Sequence, residues 1–442
     1  MANLISTNHV DTVDGRWTSL FAPEDVKVGI NSTTHHWIKS NVFPTKHTNS
    51  FTFDVPAYGD AYLDLKSTHL YVMGHLEHRD GTPLEVKTDA QTKVTTVENA
   101  CVVNNFLHSL FESVKCSVGT NQQEVSEPDY HYKAYMKQLW KEHNPNFSRR
   151  DVFALDISSD IDKIDKNSGG LIRKGMVAKG KKLEMYSHLM VDLFTTEGYL
   201  MPNTPLTITL KKSTAPFYVM SEVDGKEYDF VIEDIMLEVT SVNANPSLTY
   251  EIEKRLEDVP ANYKWDQLVT KQFTIPNGSF TASFAKLFEG VLPRKVCIAF
   301  VAQEALTGSY GRNPYKLHHM NLNKIALKVN DKEEMSLSPK FDQDLFLYTY
   351  ERYAAWCGLE DKRRIIENKL LPYGHAMFCF DLLDGCPEGE KCSQEMLQAG
   401  VISTSMTFSK ATEEPMVMLV FGYLPKELTI TKTRLATIEQ SQ

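Results

Sequence analysis

The feature that most constrains the fold of this chain is a repeat in the order of its predicted secondary-structure elements. In each half, short segments alternate apolar and polar residues and are separated by turns rich in Gly, Pro and Asn, which predicts β-strands. Each half, of roughly 200 residues, holds about eight such strands and one predicted helix midway. Eight short strands in two sheets are typical of a jelly roll. We therefore predict an all-β protein with short inserted helices, built from two tandem eight-stranded jelly rolls.

Matched pairs of segments from the two halves are the basis of this repeat. Phe51–Val55 and Phe273–Ile275 both begin with Phe-Thr and lead into a turn that contains Pro. Three further pairs share a predicted element. Residues 114–124 and 324–334 are both predicted as a strand with a tight turn, 130–142 and 345–356 as a Tyr-rich helix, and 189–194 and 378–383 as a short apolar strand.

The length of the chain also favours two domains. At 442 residues it exceeds the size at which a single hydrophobic core usually continues to grow. Glu251–Pro260 is charged and ends in Pro, so we place the domain boundary in or just before it. Asp160–Lys182 is rich in Asp, Lys, Ser and Gly with little periodicity, which predicts a long surface loop. The predicted division is 1–245 for a first jelly roll with an N-terminal arm and long loops, 246–260 for a linker, and 261–442 for a second jelly roll.

The charge balance argues against strong nucleic-acid binding. The sequence carries 57 acidic and 47 basic residues, a formal net charge of −10, whereas proteins that coat nucleic acid usually have a positive surplus. One local basic cluster is an exception. If this cluster lies at the tip of a loop, it would contact nucleic acid or an acidic neighbour. A run of basic residues more often simply faces the solvent. Its members are Arg173, Lys174, Lys179, Lys181 and Lys182.

Residue patterns that would carry catalysis or bind metals are missing from the sequence. The two rings of His35–His36, or of His318–His319, would point to opposite faces of a strand and would not converge on one metal ion. Cys379, Cys386 and Cys392 form a loose cluster without the tight Cys-x2-4-Cys pair of a zinc site. We therefore assign no catalytic, cofactor-binding or metal-binding residue, expect no cofactor, and predict that the protein is not an enzyme.

The N-terminal sequence and the Cys content predict an intracellular protein. The first residues lack the basic and apolar regions of a signal peptide, and no apolar run reaches the roughly 18 to 20 residues of a membrane span. Seven Cys, an odd number, lie mostly in apolar stretches, which is typical of buried thiols in a reducing compartment. We expect no membrane span.

The most specific motifs lie between Leu287 and Asn323 and in the strand near residue 380. They are Gly-x-Leu-Pro before an apolar strand, Gly-Ser-Tyr-x-x-Asn-Pro before an aromatic residue, and Phe-Asp-Leu. Through them the chain resembles the second jelly roll of the major capsid proteins of Polintons and adintoviruses. The residues that carry this resemblance are Gly290, Leu292, Pro293, Gly308, Ser309, Tyr310, Asn313, Pro314, Phe380, Asp381 and Leu382.

The resemblance implies a function in capsid assembly. A hexon-like subunit of this kind forms a homotrimer, and the resulting pseudo-hexagonal capsomer builds the icosahedral shell of a double-stranded DNA virus or virus-like element. Its implied partners are itself, neighbouring capsomers, the penton protein and other minor capsid proteins. Its implied location is the virion capsid and, before assembly, the host nucleus. The alternatives are a minor capsid or spike protein, a domesticated capsid-derived protein, and a carbohydrate-binding β-sandwich protein.

Overall fold

Antiparallel strands are the main secondary structure of the protein. A computed structural model describes residues 29–88, 95–141, 147–359, 362–382 and 399–440. Within these residues the strands are β1 (Ile30–Lys39), β2 (Ser50–Val55), β3 (Tyr62–His78), β4 (Val86–Thr88), β5 (Thr95–Val97), β6 (Ala100–Val102), β7 (Phe111–Val118), β8 (Gln123–Glu127), β9 (Phe147–Ser148), β10 (Phe153–Ala154), β11 (Leu183–His188), β12 (Leu206–Lys212), β13 (Val219–Ser221), β14 (Tyr228–Ala244), β15 (Ala261–Ile275), β16 (Thr281–Val291), β17 (Lys295–Ala302), β18 (Leu322–Val329), β19 (Lys332–Leu337), β20 (Phe378–Asp381), β21 (Ala399–Phe408), β22 (Met416–Ile430) and β23 (Ala436–Gln440).

Short helices interrupt the strands. The α-helices are α1 (Phe106–Ser109), α2 (Tyr130–Leu139), α3 (Ser168–Val177), α4 (Ala215–Tyr218), α5 (Pro246–Arg255), α6 (Gln303–Thr307) and α7 (Leu347–Trp356). Single turns of 3-10 helix lie at Ile164–Lys166, Ala178–Gly180, Asp192–Thr195, Phe341–Gln343 and Asn368–Leu370. In the described part of the chain, no helix is both long and apolar enough to span a membrane.

Both halves of the chain have the same strand order. The first half forms the sheets β1-β14-β3-β11 and β2-β12-β7-β8, and the second forms β15-β22-β17-β20 and β16-β21-β18-β19. The eight strands of these two sheets can be numbered 1 to 8 in chain order within each half. In this numbering, each half has one sheet with the order 1-8-3-6 and one with the order 2-7-4-5. This is the order of an eight-stranded jelly roll. The predicted fold class, two tandem jelly rolls with short inserted helices, is confirmed.

The alternation of apolar and polar residues along β3 shows which face of its sheet packs against the core of the first jelly roll. Along β3, Leu70, Val72 and Leu76 are fully buried, whereas the intervening His69 and Tyr71 are only partly buried. Successive side chains of a strand point to opposite faces, so one face of this sheet packs against the core. Helices α2 and α7 each follow the fifth strand of their jelly roll, as the Tyr-rich helical pattern of the two segments predicts.

Two sequence predictions about the first half are wrong. Asp160–Lys182 is not a surface loop, because it contains α3, whose N-terminus is capped by the Asn167 side chain accepting the Gly169 N–H. Leu189–Phe194 is not a strand either. The sixth strand, β11, ends one residue before it, and Asp192 begins a 3-10 turn that places its own carboxylate in the buried region between the jelly rolls.

A third correction concerns the matched segments. Phe51–Val55 is the second strand of its jelly roll, whereas Phe273–Ile275 is the end of the first strand, β15. Alternating hydrophobicity identifies a strand but does not give its rank in a sheet, so two segments of similar composition were placed at the same rank.

Candidate functional site: the junction between the two jelly rolls

A buried polar network joins the two jelly rolls. Asn313 of the second half is fully buried, and its side-chain amide donates to Asp156 Oδ2 at 3.1 Å. Its backbone N–H donates to Asp162 Oδ1 at 2.8 Å. The Lys316 ammonium pairs with Asp162 at 2.6 Å and with Asp160 at 3.0 Å. All three aspartates belong to the first half, so the Asn-Pro motif lies at the contact between the halves.

Arg173 supports this network from the first half through its contact with Asp156. Its side chain has no exposed surface and donates to Val102 O at 2.9 Å, to Ala154 O at 2.6 Å and to Asp156 Oδ1 at 2.6 Å. Burial by itself lowers the pKa of Arg173, but the adjacent Asp156 carboxylate raises it above its ordinary value, so the guanidinium stays charged. Asp156 also accepts a hydrogen bond from Asn167 at 2.6 Å. A buried charge pair is tolerated only with this degree of hydrogen bonding.

Tyr315 inserts from the second jelly roll into an aromatic pocket of the first. Its ring stacks on Tyr135 with centroids 4.0 Å apart and meets Tyr132 and Phe217 edge to face at 5.7 and 6.1 Å. Its hydroxyl lies 2.6 Å from Ser109 Oγ. Burial raises the pKa of Tyr315, which keeps the phenol neutral. A buried aromatic ring with a satisfied hydroxyl fixes both position and orientation.

Helix α2 and the segment after β11 cover the edge strand of the second jelly roll. The Leu268 N–H of β15 donates to Asp192 Oδ2 at 2.7 Å, and Asp192 also pairs with Lys137 of α2. Trp140, directly after α2, contacts Trp356 with ring centroids 4.3 Å apart. Trp140 also packs edge to face on Phe421 of β22. The Leu268 N–H, which an open edge would leave unpaired, is therefore bonded across the junction.

The C-terminal hairpin makes a further contact between the halves. The Thr120 N–H donates to Arg434 O at 2.9 Å, and the Ala436 N–H donates to Asn121 Oδ1 at 3.0 Å. The Arg434 guanidinium donates to Pro202 O at 2.7 Å. The turn between β7 and β8 is thereby held against the turn between β22 and β23.

The motif residues of the second jelly roll divide between this junction and the turns near it. Tyr310 reaches the first half, because its hydroxyl accepts the Tyr228 N–H at 3.1 Å and its carbonyl accepts the Ser221 N–H at 2.8 Å. Gly308 has a φ of +102°, and a Cβ there would lie 3.1 Å from the Phe217 nitrogen. Segment 305–315 therefore contacts the first half of the same chain, and it is buried at Asn313–Tyr315. The Ser309 hydroxyl donates to Glu304 within the second half at 2.9 Å. The remaining motif residues lie outside the junction: Gly290 is the last residue but one of β16, Leu292 and Pro293 follow β16, Phe380 and Asp381 end β20, and Leu382 follows β20.

The basic cluster does not form one contact loop. Arg173 is buried, and Lys174 donates to Asn99 and Asp165 beside it. Lys182 pairs with Glu233, while Lys179 and Lys181 are exposed. Arg173 is buried beside the junction and cannot belong to an exposed contact loop, whereas a contact role for the four lysines stays a prediction.

Sequence reasoning missed the first-half residues of the junction. Asp156 and Asp192 are isolated carboxylates in the sequence, and no local pattern marks them as buried. The only signal in the sequence is the high Tyr content of the α2 segment, which predicts a helix but does not show how many of its faces are buried. In the structure nine of the ten residues of α2 are buried.

The Cys and His residues considered for metal binding show no metal geometry where they can be described. Cys386 and Cys392 lie outside the described residues, and the Cys379 sulfur lies 3.5 Å from the Cys297 sulfur in the buried sheet. Burial raises the pKa of Cys379 well above its usual value. Burial also lowers the pKa of His318 to about 4. Among the described residues, no group of three or more His, Cys, Asp or Glu side chains could hold a metal ion.

Known proteins are similar to this chain in sequence and in structure. No family model matches the chain. An uncharacterized protein of Caenorhabditis elegans is 21% identical over 257 residues, or 58% of this chain, and the chain spans about 60% of the length of that curated relative.

The solved structures of several viral proteins are similar over almost the whole chain. The mavirus major capsid protein has a TM-score of 0.59 at 12% identity, covering 99% of this chain and 96% of its own. The Faustovirus major capsid protein has a TM-score of 0.59 at 10% identity, covering 93% and 92%. A chain of the Sputnik virophage has a TM-score of 0.58 at 13% identity, covering 100% and 95%. This chain therefore has the double jelly-roll fold found in these viral capsid proteins.

Proposed function

We propose that the protein is a viral major capsid protein whose homotrimer forms a pseudo-hexagonal capsomer in the icosahedral shell of a double-stranded DNA virus or virus-like element. The observation that carries the proposal is the identical strand order of the two jelly rolls, 1-8-3-6 and 2-7-4-5, in one chain. Two similar barrels per subunit allow three subunits to present six similar sides. The proposal is further supported by the named capsid proteins that share the fold along almost their full length.

The buried junction supplies the rigidity that this function needs. A capsomer contacts its neighbours through surfaces of fixed geometry, so the two barrels of a subunit must keep a constant orientation. Asn313 and Tyr315 are fully buried and cross between the barrels, and the buried Arg173 fixes Asp156, which accepts a hydrogen bond from Asn313. A flexible linker between the barrels would not maintain the hexagonal outline.

The finer assignments are also proposals. The motifs at 290–293 and 308–314 support a protein of the Polinton and adintovirus type. Neighbouring capsomers, a penton protein and other minor capsid proteins are the partners that a capsid shell requires. We propose assembly in the host nucleus, with the finished protein in the virion capsid, and structural rather than enzymatic activity.

The test is the mass of the purified protein in solution. Light scattering at micromolar concentration should give about three times 50.3 kDa, and negative-stain microscopy should show hexagonal capsomers or shells. A monomer across this concentration range would overturn the proposal.

A second candidate is a domesticated, capsid-derived protein of an animal genome, which is favoured by the similarity to a nematode protein. The two candidates differ in assembly. A major capsid protein should dominate purified particles by mass, whereas a domesticated protein should remain in small oligomers when it is expressed at high level.

A further inference from the structure

The equivalent sheets of the two jelly rolls differ in how much of their outer face is covered. In the sheet β15-β22-β17-β20, which we call sheet 2, every residue of Val296–Ala302 and Met416–Gly422 is buried. In the equivalent sheet β1-β14-β3-β11, which we call sheet 1, burial alternates along the central strand β3. A strand that is buried at every position has both faces covered, and an alternating strand has one.

The outer face of sheet 1 carries a partly exposed aromatic cluster. Trp37 is 51% exposed, and its ring lies 6.0 Å from Tyr71 and 6.1 Å from Tyr186. His69 stacks on Tyr186 with centroids 4.7 Å apart. These four residues form the sheet-1 cluster. A group of large aromatic side chains on a half-covered sheet face is typical of a protein contact surface.

The equivalent helices show the opposite asymmetry. Helix α2 buries nine of its ten residues, whereas α7 buries five of ten. At the start of α7, Leu345 and Leu347 are each 59% exposed and Tyr348 is 64% exposed. These three residues form the α7 patch.

The contact within the chain shows what each exposed surface would bind. Inside one subunit, α2 and its flanking residues cover sheet 2: Trp140 packs on Phe421, and Asp192 accepts the Leu268 N–H of edge strand β15. In the shared element order, α7 of the second half corresponds to α2, and edge strand β1 of the first half corresponds to edge strand β15. Edge strand β1 is largely exposed in the single subunit, and α7 exposes its first two residues, Leu347 and Tyr348.

We infer that the α7 patch of one copy covers the sheet-1 cluster of the next copy, so that the helix-to-sheet contact made inside each subunit is repeated between subunits. The inference rests on the proposed function and names its contact surfaces. The contact is heterologous, because each copy offers a different surface at each end. With two barrels per copy, a ring of six barrels closes after three copies and leaves neither surface exposed.

Two variants test the inference by removing one surface each. Trp37→Glu places a charge in the sheet-1 cluster, and the double variant Leu347→Glu/Tyr348→Glu places two in the α7 patch. Burying an unpaired charge opposes association, so each variant alone should lose the trimer and scatter light as a single 50.3-kDa chain.

Mixing the two variants gives the decisive result. The Trp37→Glu copy retains its α7 patch, and the double variant retains its sheet-1 cluster, so one intact contact can form between them. An equimolar mixture at about 50 µM should form a heterodimer of twice 50.3 kDa and grow no further, because both remaining surfaces carry charges. Heterodimer formation also shows that both variants are folded.

Matched controls use equally exposed aromatic residues elsewhere. Tyr250, on α5, is 70% exposed and Phe280, before β16, is 59% exposed. Tyr250→Glu and Phe280→Glu should remain trimers. If the wild-type protein is a trimer and the Trp37 and α7 variants also remain trimers, this inference is overturned and the proposed function stands. A monomeric wild-type protein overturns both.

Discussion

At the scale of single residues, the Arg173–Asp156 pair is expected to be highly sensitive to substitution. Neither side chain has exposed surface, and the Asp156 carboxylate also accepts hydrogen bonds from Asn167 and Asn313. Asp156→Ala leaves a buried guanidinium without its partner, which should lower the free energy of unfolding by about 3 to 5 kcal/mol. Denaturant unfolding followed by circular dichroism measures the change.

The control for this prediction distinguishes the cost of losing the ion pair from the cost of leaving one buried charge unpaired. Replacing both members, as Arg173→Met/Asp156→Leu, removes the unpaired charge and should recover part of the lost stability. Lys179→Ala, at an exposed position two residues after the end of α3, should change stability by less than about 0.5 kcal/mol. Equal stability of Asp156→Ala and wild type would contradict a buried charge pair.

The same residues show where prediction from the sequence ends. Arg173 stands among lysines, and a local count of charges groups it with them as a surface cluster. Its burial depends on Asp156, on carbonyl groups of two strands and on Asn313, which is 140 positions away in the sequence. Pairing over such distances leaves no local pattern. By contrast, the Gly-Ser-Tyr-x-x-Asn-Pro motif was recognised from the sequence, but its place in a contact within the chain was not.

At the scale of elements, Gly119 tests the contact between the β7–β8 turn and the C-terminal hairpin. Its φ is +82°, and a Cβ there would lie 2.6 Å from Ala436 Cβ and 2.8 Å from Arg434 O. Gly81 has a similar φ of +88° but no atom within 4 Å of its added Cβ. Gly81→Ala should cost about 1 kcal/mol from backbone strain alone, and Gly119→Ala at least about 2 kcal/mol because the hairpin must also move. Thermal unfolding compares them, and equal losses would mean that the hairpin does not pack there.

Elements differ in how far the sequence determines them. The two inserted helices were predicted from their 3.6-residue spacing, and most strands from alternation, because both patterns are local. The rank of a strand in its sheet is a long-range property, which is why Phe51–Val55 and Phe273–Ile275 were wrongly paired. The helix α3 was missed because Gly169 and Gly170 in its first turn weaken the helical signal, while its cap and its buried arginine stabilise it through tertiary contacts.

At the scale of the whole molecule, the doubling of the jelly roll was predictable and the covering of its faces was not. The repeated order of elements is visible in the sequence itself. Which sheet face is covered depends instead on which helix packs against which sheet, and this is a long-range property. The junction buries Tyr315 and Leu268 of the second half completely, and Trp140 of the first half is 8% exposed. Either half alone would expose these side chains to water, so neither is expected to be stable while the other is unfolded.

We therefore predict that the two jelly rolls unfold together. Differential scanning calorimetry of the full chain should show one transition, and Tyr315→Ala should lower its midpoint without splitting it, at a cost of about 3 to 5 kcal/mol. Tyr250→Ala, which removes a 70% exposed ring, should leave the midpoint nearly unchanged. Two separate transitions in the wild-type protein would mean that the barrels are independent bodies. Three subunits of that kind could not hold the six sides of the proposed capsomer in register, since the angle between the barrels of each subunit would not be fixed.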